Sequence, residues 1–252
     1  MIMCKKLVVS GCSFTAWHSW AYFLAEKYDL ELINLSHSGA GNKHIADSLI
    51  LYLEQNNFDV NELLIGIMWS GVGRRDWMIS LTDQQYSDPS AYKYTNDVSL
   101  VLPGDLLRNH KIQPFSIKND HEFSLIEIAF RQGKQARCLQ GLLSIIGLNS
   151  YLVSKGYTFF QTYFFDPNGD DNQSLGDMNF TNYSDSYKKF NIDQPTFGLL
   201  NFTPDEFLGN WAIKNNATIS NQDSHPTIPG HRLWTETVLI PQLIQQKLLS
   251  DG

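Results

Sequence analysis

The chain has 252 residues, of which 42% are hydrophobic, and its formal net charge is −7 at pH 7. This length and hydrophobic content predict a single domain, residues 1–252, with a substantial core. The acidic balance argues against a nucleic-acid partner, because nucleic-acid-binding domains carry a basic surface. No apolar run approaches the length of a membrane span or of a signal peptide, so we expect a soluble protein of cytoplasmic type without a membrane partner.

The first half of the chain alternates short apolar strands with amphipathic helices. Residues 5–10 predict a strand, and residues 15–28 predict a helix whose apolar face carries Trp17, Trp20 and Leu24. Trp17 is therefore expected in the core. A second strand, a second helix and a third strand, apolar throughout as in sheets buried on both faces, are predicted at 32–35, 43–56 and 63–69.

The second half continues the same alternation. A helix is predicted at 133–154, a strand at 157–165, and a closing helix at 229–249 with a kink at Pro241. The only candidate for a fifth strand is 217–219. Strands that alternate with helices in this way predict a three-layer α/β/α sandwich with a parallel sheet.

Two long segments, 72–130 and 166–216, interrupt the alternation. Loops of this length in a compact domain are usually functional or disordered. Both leave the sheet at the same rim, so we interpret these insertions as a lid or a substrate wall. Decoration without function, or a contact between subunits, is the alternative interpretation, and the oligomeric state stays open.

Residues suited to hydrolytic chemistry follow the predicted strands. Ser13, Gly39, Ser70 and Asp166 each come directly after a strand, and the carboxyl ends of parallel strands lie on one rim of a sheet. Ser13 is the candidate nucleophile, since it lies between a strand and a helix, near the positive end of the helix dipole. The alternative is that Ser13 or Thr15 only caps that helix.

A histidine and an aspartate late in the chain complete the set of groups that acyl transfer needs. His225 is the candidate base and Asp223 the candidate acid that orients it, with Asp166 as the alternative acid. His231 is expected to pack or to cap a helix. A metal site built from Asp223, His225 and His231 is a further alternative, but these residues lack an established ligand spacing.

Cys12 is a rival nucleophile beside Ser13. Neighbouring residues after a strand tend to point in different directions, so with Ser13 at the rim we expect Cys12 to pack inward as a small hydrophobic residue. The cysteines Cys4, Cys12 and Cys138 form an odd set without metal-ligand spacing, which indicates reduced thiols.

Four short segments follow one another along the chain: Gly11-Cys12-Ser13, Asn34-Leu35-Ser36-His37-Ser38-Gly39, Met68-Trp69-Ser70-Gly71 and Asp223-Ser224-His225-Pro226. Their order and spacing resemble the sequence blocks of the SGNH/GDSL hydrolases. The chain departs from the family pattern in having Cys12 where the family has aspartate, Ser70 in place of asparagine, and one residue fewer between Asp223 and His225.

The resemblance implies an acyl-enzyme on Ser13. It also implies an oxyanion hole formed by the backbone N–H groups of Ser13 and Gly39, with a side-chain donor from Asn42 or Ser70. Trp69 and His37 are expected to line the substrate pocket. Trp17 and His18 are further candidates for this lining, where a tryptophan could stack on a sugar ring or an acyl chain, although Trp17 is expected in the core. Neither a cofactor nor a metal is expected.

The expected function is therefore that of a serine esterase. Together with an aromatic content of 13%, the insertions favour an O-acetyl ester on a carbohydrate as substrate, so the expected partner is a small-molecule or glycan ester. An O-acyltransferase of the same fold and a catalytically silent glycan-binding or assembly protein are the alternatives.

Overall fold

The computed structural model describes residues 4–71, 134–165 and 198–250, together with three strands at 76–80, 92–93 and 99–103. Short 3₁₀ turns occur at Val60–Glu62 and Pro204–Glu206. In chain order, the strands and helices are β1 (Lys6–Gly11), α1 (Trp20–Tyr28), β2 (Glu31–Asn34), α2 (Asn42–Gln55), β3 (Leu63–Trp69), β4 (Asp76–Ser80), β5 (Tyr92–Lys93), β6 (Ser99–Pro103), α3 (Lys134–Lys155), β7 (Thr158–Tyr163), α4 (Leu208–Lys214), β8 (Thr218–Ser220), β9 (Asp223–Pro226), α5 (Ile228–Trp234) and α6 (Ile240–Gln245).

The main sheet has the strand order β2-β1-β3-β7, and every pair in it is parallel. The connection from β1 to β2 runs in one direction across the sheet, whereas the connections from β2 to β3 and from β3 to β7 run in the other. Because such crossovers are right-handed, α1 lies on one face of the sheet, and α2 and α3 lie on the other. The helix contacts agree, since α2 packs on α3 while α1 packs on α5. Every residue of β3 is buried, as expected for a central strand covered on both sides. The predicted α/β/α sandwich is confirmed.

Helix α1 begins at Trp20, one turn or more later than the sequence predicts. In a continued helix the carbonyl of Thr15 would accept the backbone N–H of Ser19. It accepts the Ser19 hydroxyl at 2.6 Å and the Asn34 side-chain amide at 2.9 Å instead, so residues 12–19 form an ordered loop. Trp17 lies in this loop and is 84% exposed. The expectation that Trp17 belongs to the core is wrong.

Beside β7, at the edge where a fifth strand of the main sheet would lie, the described residues form one isolated β-bridge. Residues 217–219 do not join the main sheet, because β8 pairs antiparallel with β9 in a separate hairpin. The strand predicted there is therefore real but misplaced. Leu199 forms a parallel bridge with Gln161 of β7, closed by hydrogen bonds of 2.7 Å from Gln161 N to Gly198 O and 3.0 Å from Leu200 N to Gln161 O.

The C-terminal helical segment changes its winding before Pro241. Helix α5 begins after Thr227, whose hydroxyl accepts the backbone N–H of Gly230 at 3.2 Å. A π turn, Thr235–Leu239, then joins α5 to α6. A π turn just ahead of a residue without a backbone N–H is a recognised way to break the helical hydrogen-bond ladder. The π turn thus ends just before Pro241, where the sequence predicts a kink.

Parts of both predicted insertions have regular structure. Within 72–130, β4, β6 and β5 form a three-stranded antiparallel sheet, and the remainder of that range lies outside the described residues. In the insertion at 166–216, residues 166–197 lie outside them, whereas the end of the segment contains α4. Among the helices of the described ranges, none combines the length and the apolar character needed to cross a membrane.

Candidate active site

Residues from the two ends of the chain meet at the carboxyl edge of the main sheet. The Nε2 atom of His225 lies 2.7 Å from the Ser13 hydroxyl oxygen, and its Nδ1 atom lies 2.6 Å from Asp223 Oδ1. Ser13 follows β1, at the point where the strand order reverses between β1 and β3. Ligand sites of open parallel sheets form at this kind of switch point. The Ser13, His225 and Asp223 candidates are thus adjacent in space.

The two-position step from Asp223 to His225 has a simple structural reason. Both residues belong to β9, and side chains two apart on a strand lie on the same face. Asp223 Oδ1 accepts the backbone N–H of His225 at 3.0 Å as well as the imidazole. That backbone hydrogen bond, aided by the imidazole, lowers the pKa of the Asp223 carboxyl below its ordinary value. The alternative acid, Asp166, lies outside the described residues.

The nucleophile turn, residues 12–15, is held by its own backbone. The N–H groups of Thr15 and Ala16 both donate to the carbonyl of Cys12, at 2.9 and 3.1 Å. Cys12 is fully buried in the core, so the inward orientation predicted for it is confirmed. With Cys12 turned inward and the Ser13 hydroxyl turned towards His225, the serine is the candidate nucleophile that lies at the rim.

Phe14 supports the imidazole from one side, a role that the sequence analysis missed. Its ring stacks on His225 with centroids 4.6 Å apart and planes inclined by 26°. Phe14 is itself buried against Phe164 and Phe165, with ring centroids 4.8 and 5.8 Å away. The stack fixes the plane of the imidazole. In the sequence, the only indication of this role is that a large aromatic residue directly follows the candidate serine.

The loop after β2 lies against the nucleophile turn. The backbone N–H of His37 donates to the carbonyl of Gly11 at 3.1 Å, which ties the two loops together. Gly39 has φ of 80°, a left-handed conformation that favours glycine. His37 is half-buried and its Nδ1–H donates to the Ser38 carbonyl at 2.8 Å, so its ring stays near this rim.

Asn42 and Ser70, the candidate side-chain donors, contact each other. Asn42 is the first residue of α2, and its Oδ1 accepts the backbone N–H of Ser70 at 2.9 Å. This bond fixes the orientation of the amide. Asn42 Nδ2 and Ser70 Oγ are both buried and have no hydrogen-bond partner among the described residues.

Trp69, a predicted pocket residue, lies in the core. Its side chain is fully buried, and its Nε1–H donates to Gln161 Oε1 at 2.6 Å on the neighbouring strand β7. The full burial of the ring argues against the predicted substrate-binding role of Trp69, because an enclosed indole has no surface to offer a substrate.

The other predicted histidine, His231, packs in the interior. It is 6% exposed, and burial together with the nearby His225 lowers its pKa to about 4. Throughout the part of the chain that the structure describes, no group of three or more His, Cys, Asp or Glu side chains is arranged to hold a metal ion. The metal interpretation of Asp223, His225 and His231 therefore has no ligand set.

Comparison with known proteins gives similarity in fold. No family model and no curated protein matches the sequence. The solved structures that match include TesA, with 15% identity and a TM-score of 0.49 over 97% of this chain and 99% of that one. The psychrotrophic esterase EstA from Pseudoalteromonas sp. matches with 13% identity and a TM-score of 0.49, over 97% and 100%. A member of the lipolytic protein G-D-S-L family from Veillonella parvula DSM 2008 matches with 10% identity and a TM-score of 0.43, over 93% and 96%.

At these identities and TM-scores, the comparisons carry no conclusion about activity. The structure itself shows a parallel sheet with the order β2-β1-β3-β7, and the serine after β1 meets the histidine of β9 at the carboxyl rim. This is the architecture and the placement of serine and histidine that the resemblance to the SGNH/GDSL hydrolases predicts.

Proposed function

We propose that the protein is a serine hydrolase that cleaves carboxylic esters through an acyl-enzyme on Ser13. One observation carries the proposal: a single imidazole, His225, bridges the Ser13 hydroxyl at 2.7 Å and the Asp223 carboxylate at 2.6 Å. A serine hydroxyl is inert at its own pKa and becomes nucleophilic when a base takes its proton. This arrangement of nucleophile, base and orienting acid matches that requirement.

Acylation follows from these contacts. Ser13 Oγ attacks the ester carbonyl carbon while His225 Nε2 takes the hydroxyl proton. Asp223 holds the proton on Nδ1, and its charge stabilises the imidazolium. When the tetrahedral intermediate collapses, the bond from carbonyl carbon to alcohol oxygen breaks, and His225 returns the proton to the departing alcohol. Water, deprotonated by His225, then attacks the acyl-serine and releases the acid and free Ser13.

The negative charge of each tetrahedral intermediate needs donors that are already in place. We assign the backbone N–H groups of Ser13 and Gly39 to this role, because the Gly11 carbonyl to His37 N–H bond of 3.1 Å holds the two loops side by side. We assign Asn42 as the side-chain donor in preference to Ser70. The Ser70 backbone N–H occupies Asn42 Oδ1, so the amide presents Nδ2 as its remaining polar group.

For the substrate we propose an O-acetyl ester carried on a carbohydrate. The aromatic-rich composition supports this choice, since aromatic rings bury the apolar faces of sugars while leaving their hydroxyls in water. The same acyl-enzyme transfers its acyl group to a sugar hydroxyl when that hydroxyl replaces water. Product analysis therefore decides between hydrolase and transferase.

Acetate release from vinyl acetate tests the chemistry without any demand on sugar binding. The wild type should release acetate, and Ser13→Ala and His225→Ala should each lose about 10⁴–10⁶-fold in kcat. Adding a sugar alcohol as acceptor and looking for an acetylated product distinguishes transfer from hydrolysis. Equal rates in the wild type and Ser13→Ala would overturn the proposal and would favour the silent binding protein.

A further inference from the structure

Trp17 is a large apolar side chain that the fold leaves in water. Its side chain is 84% exposed, whereas Trp20, Trp69 and Trp234 are fully buried. Its backbone has φ of 64°, in the left-handed region that non-glycine residues rarely adopt. Exposing an indole and straining the backbone are both unfavourable, and such strain is typically retained at functional sites.

The surrounding loop is built to hold this conformation. The Thr15 carbonyl accepts the Ser19 hydroxyl at 2.6 Å and the Asn34 amide at 2.9 Å. The Thr15 hydroxyl accepts the Trp20 indole N–H at 3.1 Å, and both Thr15 and Trp20 are buried. The chain is thus anchored on both sides of position 17, and the indole is presented from a fixed base.

Trp17 lies on the same rim as the candidate site. Residues 12–19 connect the carboxyl end of β1 to the start of α1, so all of them lie at that edge of the sheet. Trp17 comes four positions after Ser13, and an extended chain over that step reaches at most about 14 Å.

The neighbours of Trp17 indicate what kind of ligand it fits. The imidazole of His18, also exposed, lies beside the half-exposed phenol of Tyr22, with ring centroids 5.1 Å apart. Within residues 12–19 the exposed side chains are Trp17 and His18, so the loop has no exposed aliphatic side chain that would line a groove for an acyl chain. An exposed, flat apolar ring that is followed in the chain by exposed hydrogen-bonding side chains suits a ligand with both an apolar face and polar groups, such as a sugar ring.

We propose that Trp17 is a binding platform for a sugar ring in the alcohol part of the ester, with His18 and Tyr22 as its polar border. The proposal rests on the proposed esterase function, and it names the residue that would bind the carbohydrate part of the substrate. An indole stacked on a pyranose contributes only to binding, so its loss should raise KM and leave kcat largely unchanged.

The test compares acetate or octanoate release from glucose pentaacetate, vinyl acetate and vinyl octanoate. The main variant is Trp17→Asn, since asparagine tolerates the left-handed conformation and removes the ring without added strain. We expect about a tenfold higher KM for glucose pentaacetate and unchanged kinetics with vinyl acetate. Trp17→Phe should recover part of the loss. Val153→Asn, at an exposed position on α3, is the matched control and should behave as the wild type.

Each result of these measurements supports or overturns the proposed role of Trp17. A loss confined to vinyl octanoate, or no change in KM for any ester, overturns the sugar platform and leaves the esterase intact. Titration of the catalytically blocked Ser13→Ala protein with glucose pentaacetate, followed by tryptophan fluorescence, separates the two proposals. Quenching that disappears in the Ser13→Ala, Trp17→Asn protein supports the platform even if the wild type hydrolyses nothing. Absence of both quenching and turnover refutes both.

Discussion

At the scale of single residues, the candidate site depends on one imidazole with a fixed orientation. Phe14 stacks on its face, the Asp223 carboxylate binds Nδ1, and the Ser13 hydroxyl lies at Nε2. Because Asp223 also accepts the His225 backbone N–H, this carboxylate has both a structural and an electrostatic role. The two roles can be separated by substitution.

Asp223→Asn should separate them. The asparagine oxygen can still accept the His225 backbone N–H, so the melting temperature should change little. The neutral amide no longer stabilises the imidazolium or enforces its tautomer, and kcat for vinyl acetate should fall by about 10³–10⁴-fold. If kcat stays within threefold of the wild type, the acid is another group, and Asp166 becomes the first residue to test.

Substitutions at Asn42 and at Ser70 test which of the two side chains donates a hydrogen bond to the oxyanion. Asn42→Ala should lower kcat by about 10²–10³-fold, the usual cost of losing one oxyanion donor. Ser70→Ala is the matched control, since it keeps the backbone N–H that binds Asn42 Oδ1. It should remain within a few-fold of the wild type. The reverse order of the two variants, measured as kcat for vinyl acetate, would assign the role to Ser70.

At the scale of elements, the site depends on how β1 ends. A Cβ atom at Gly11 would lie 2.4 Å from the Thr15 hydroxyl and 3.2 Å from the Met68 carbonyl of β3. Thr15 cannot yield easily, because its hydroxyl and carbonyl are bound to Trp20, Ser19 and Asn34. The last residue of β1 must therefore be small for the nucleophile turn to keep its shape.

Gly11→Ala should destabilise the protein by about 1–3 kcal/mol, the usual cost of overpacking, and lower kcat as well. The control is Gly147→Ala on the exposed side of α3, where an added Cβ has no heavy atom within 4 Å. An alanine there should stabilise the helix by about 0.5–1 kcal/mol. Urea unfolding of both variants measures the two effects. Equal, small changes would mean that the turn after β1 adapts.

The sequence predicts the elements of the main sheet because their patterns are local. The buried run of β3 and the apolar face of α2 belong to single segments, and the site candidates follow from strand ends. Two of the corrections involve partners that are distant in the chain. The loop that carries Trp17 is tied to Asn34 on β2 through the Thr15 carbonyl, and Trp69 is buried with its indole bound to Gln161 on β7. The His225 stack on Phe14 joins residues from opposite ends of the chain.

At the scale of the whole molecule, the interior holds a histidine that resists protonation. Folded His231 has a pKa of about 4, against an ordinary value of 6.5, because it is buried and lies near His225. Between these values the unfolded chain binds a proton that the folded chain does not. The contribution of His231 to the free energy of unfolding is therefore fully retained above pH 6.5. It is lost progressively as the pH falls from 6.5 towards 4.

Between pH 7 and pH 5, His231 should account for about 2 kcal/mol of the decrease in the free energy of unfolding. His231→Gln removes the titrating group, so its stability should fall less over the same interval. Urea unfolding at both pH values gives the comparison, and the difference between the two proteins cancels the contribution of the carboxylates. An identical pH dependence in the two proteins would show that His231 is accessible to protons in the folded state.

The most direct test of the central claim is labelling with a fluorophosphonate probe, with the modified residue located by mass spectrometry. We expect a single adduct on Ser13. The adduct should be absent from Ser13→Ala, strongly slowed in His225→Ala and unchanged in Cys12→Ala, because Cys12 is buried in the core. An unlabelled wild-type protein, or an adduct that persists in Ser13→Ala, would contradict the assignment of Ser13 as the nucleophile.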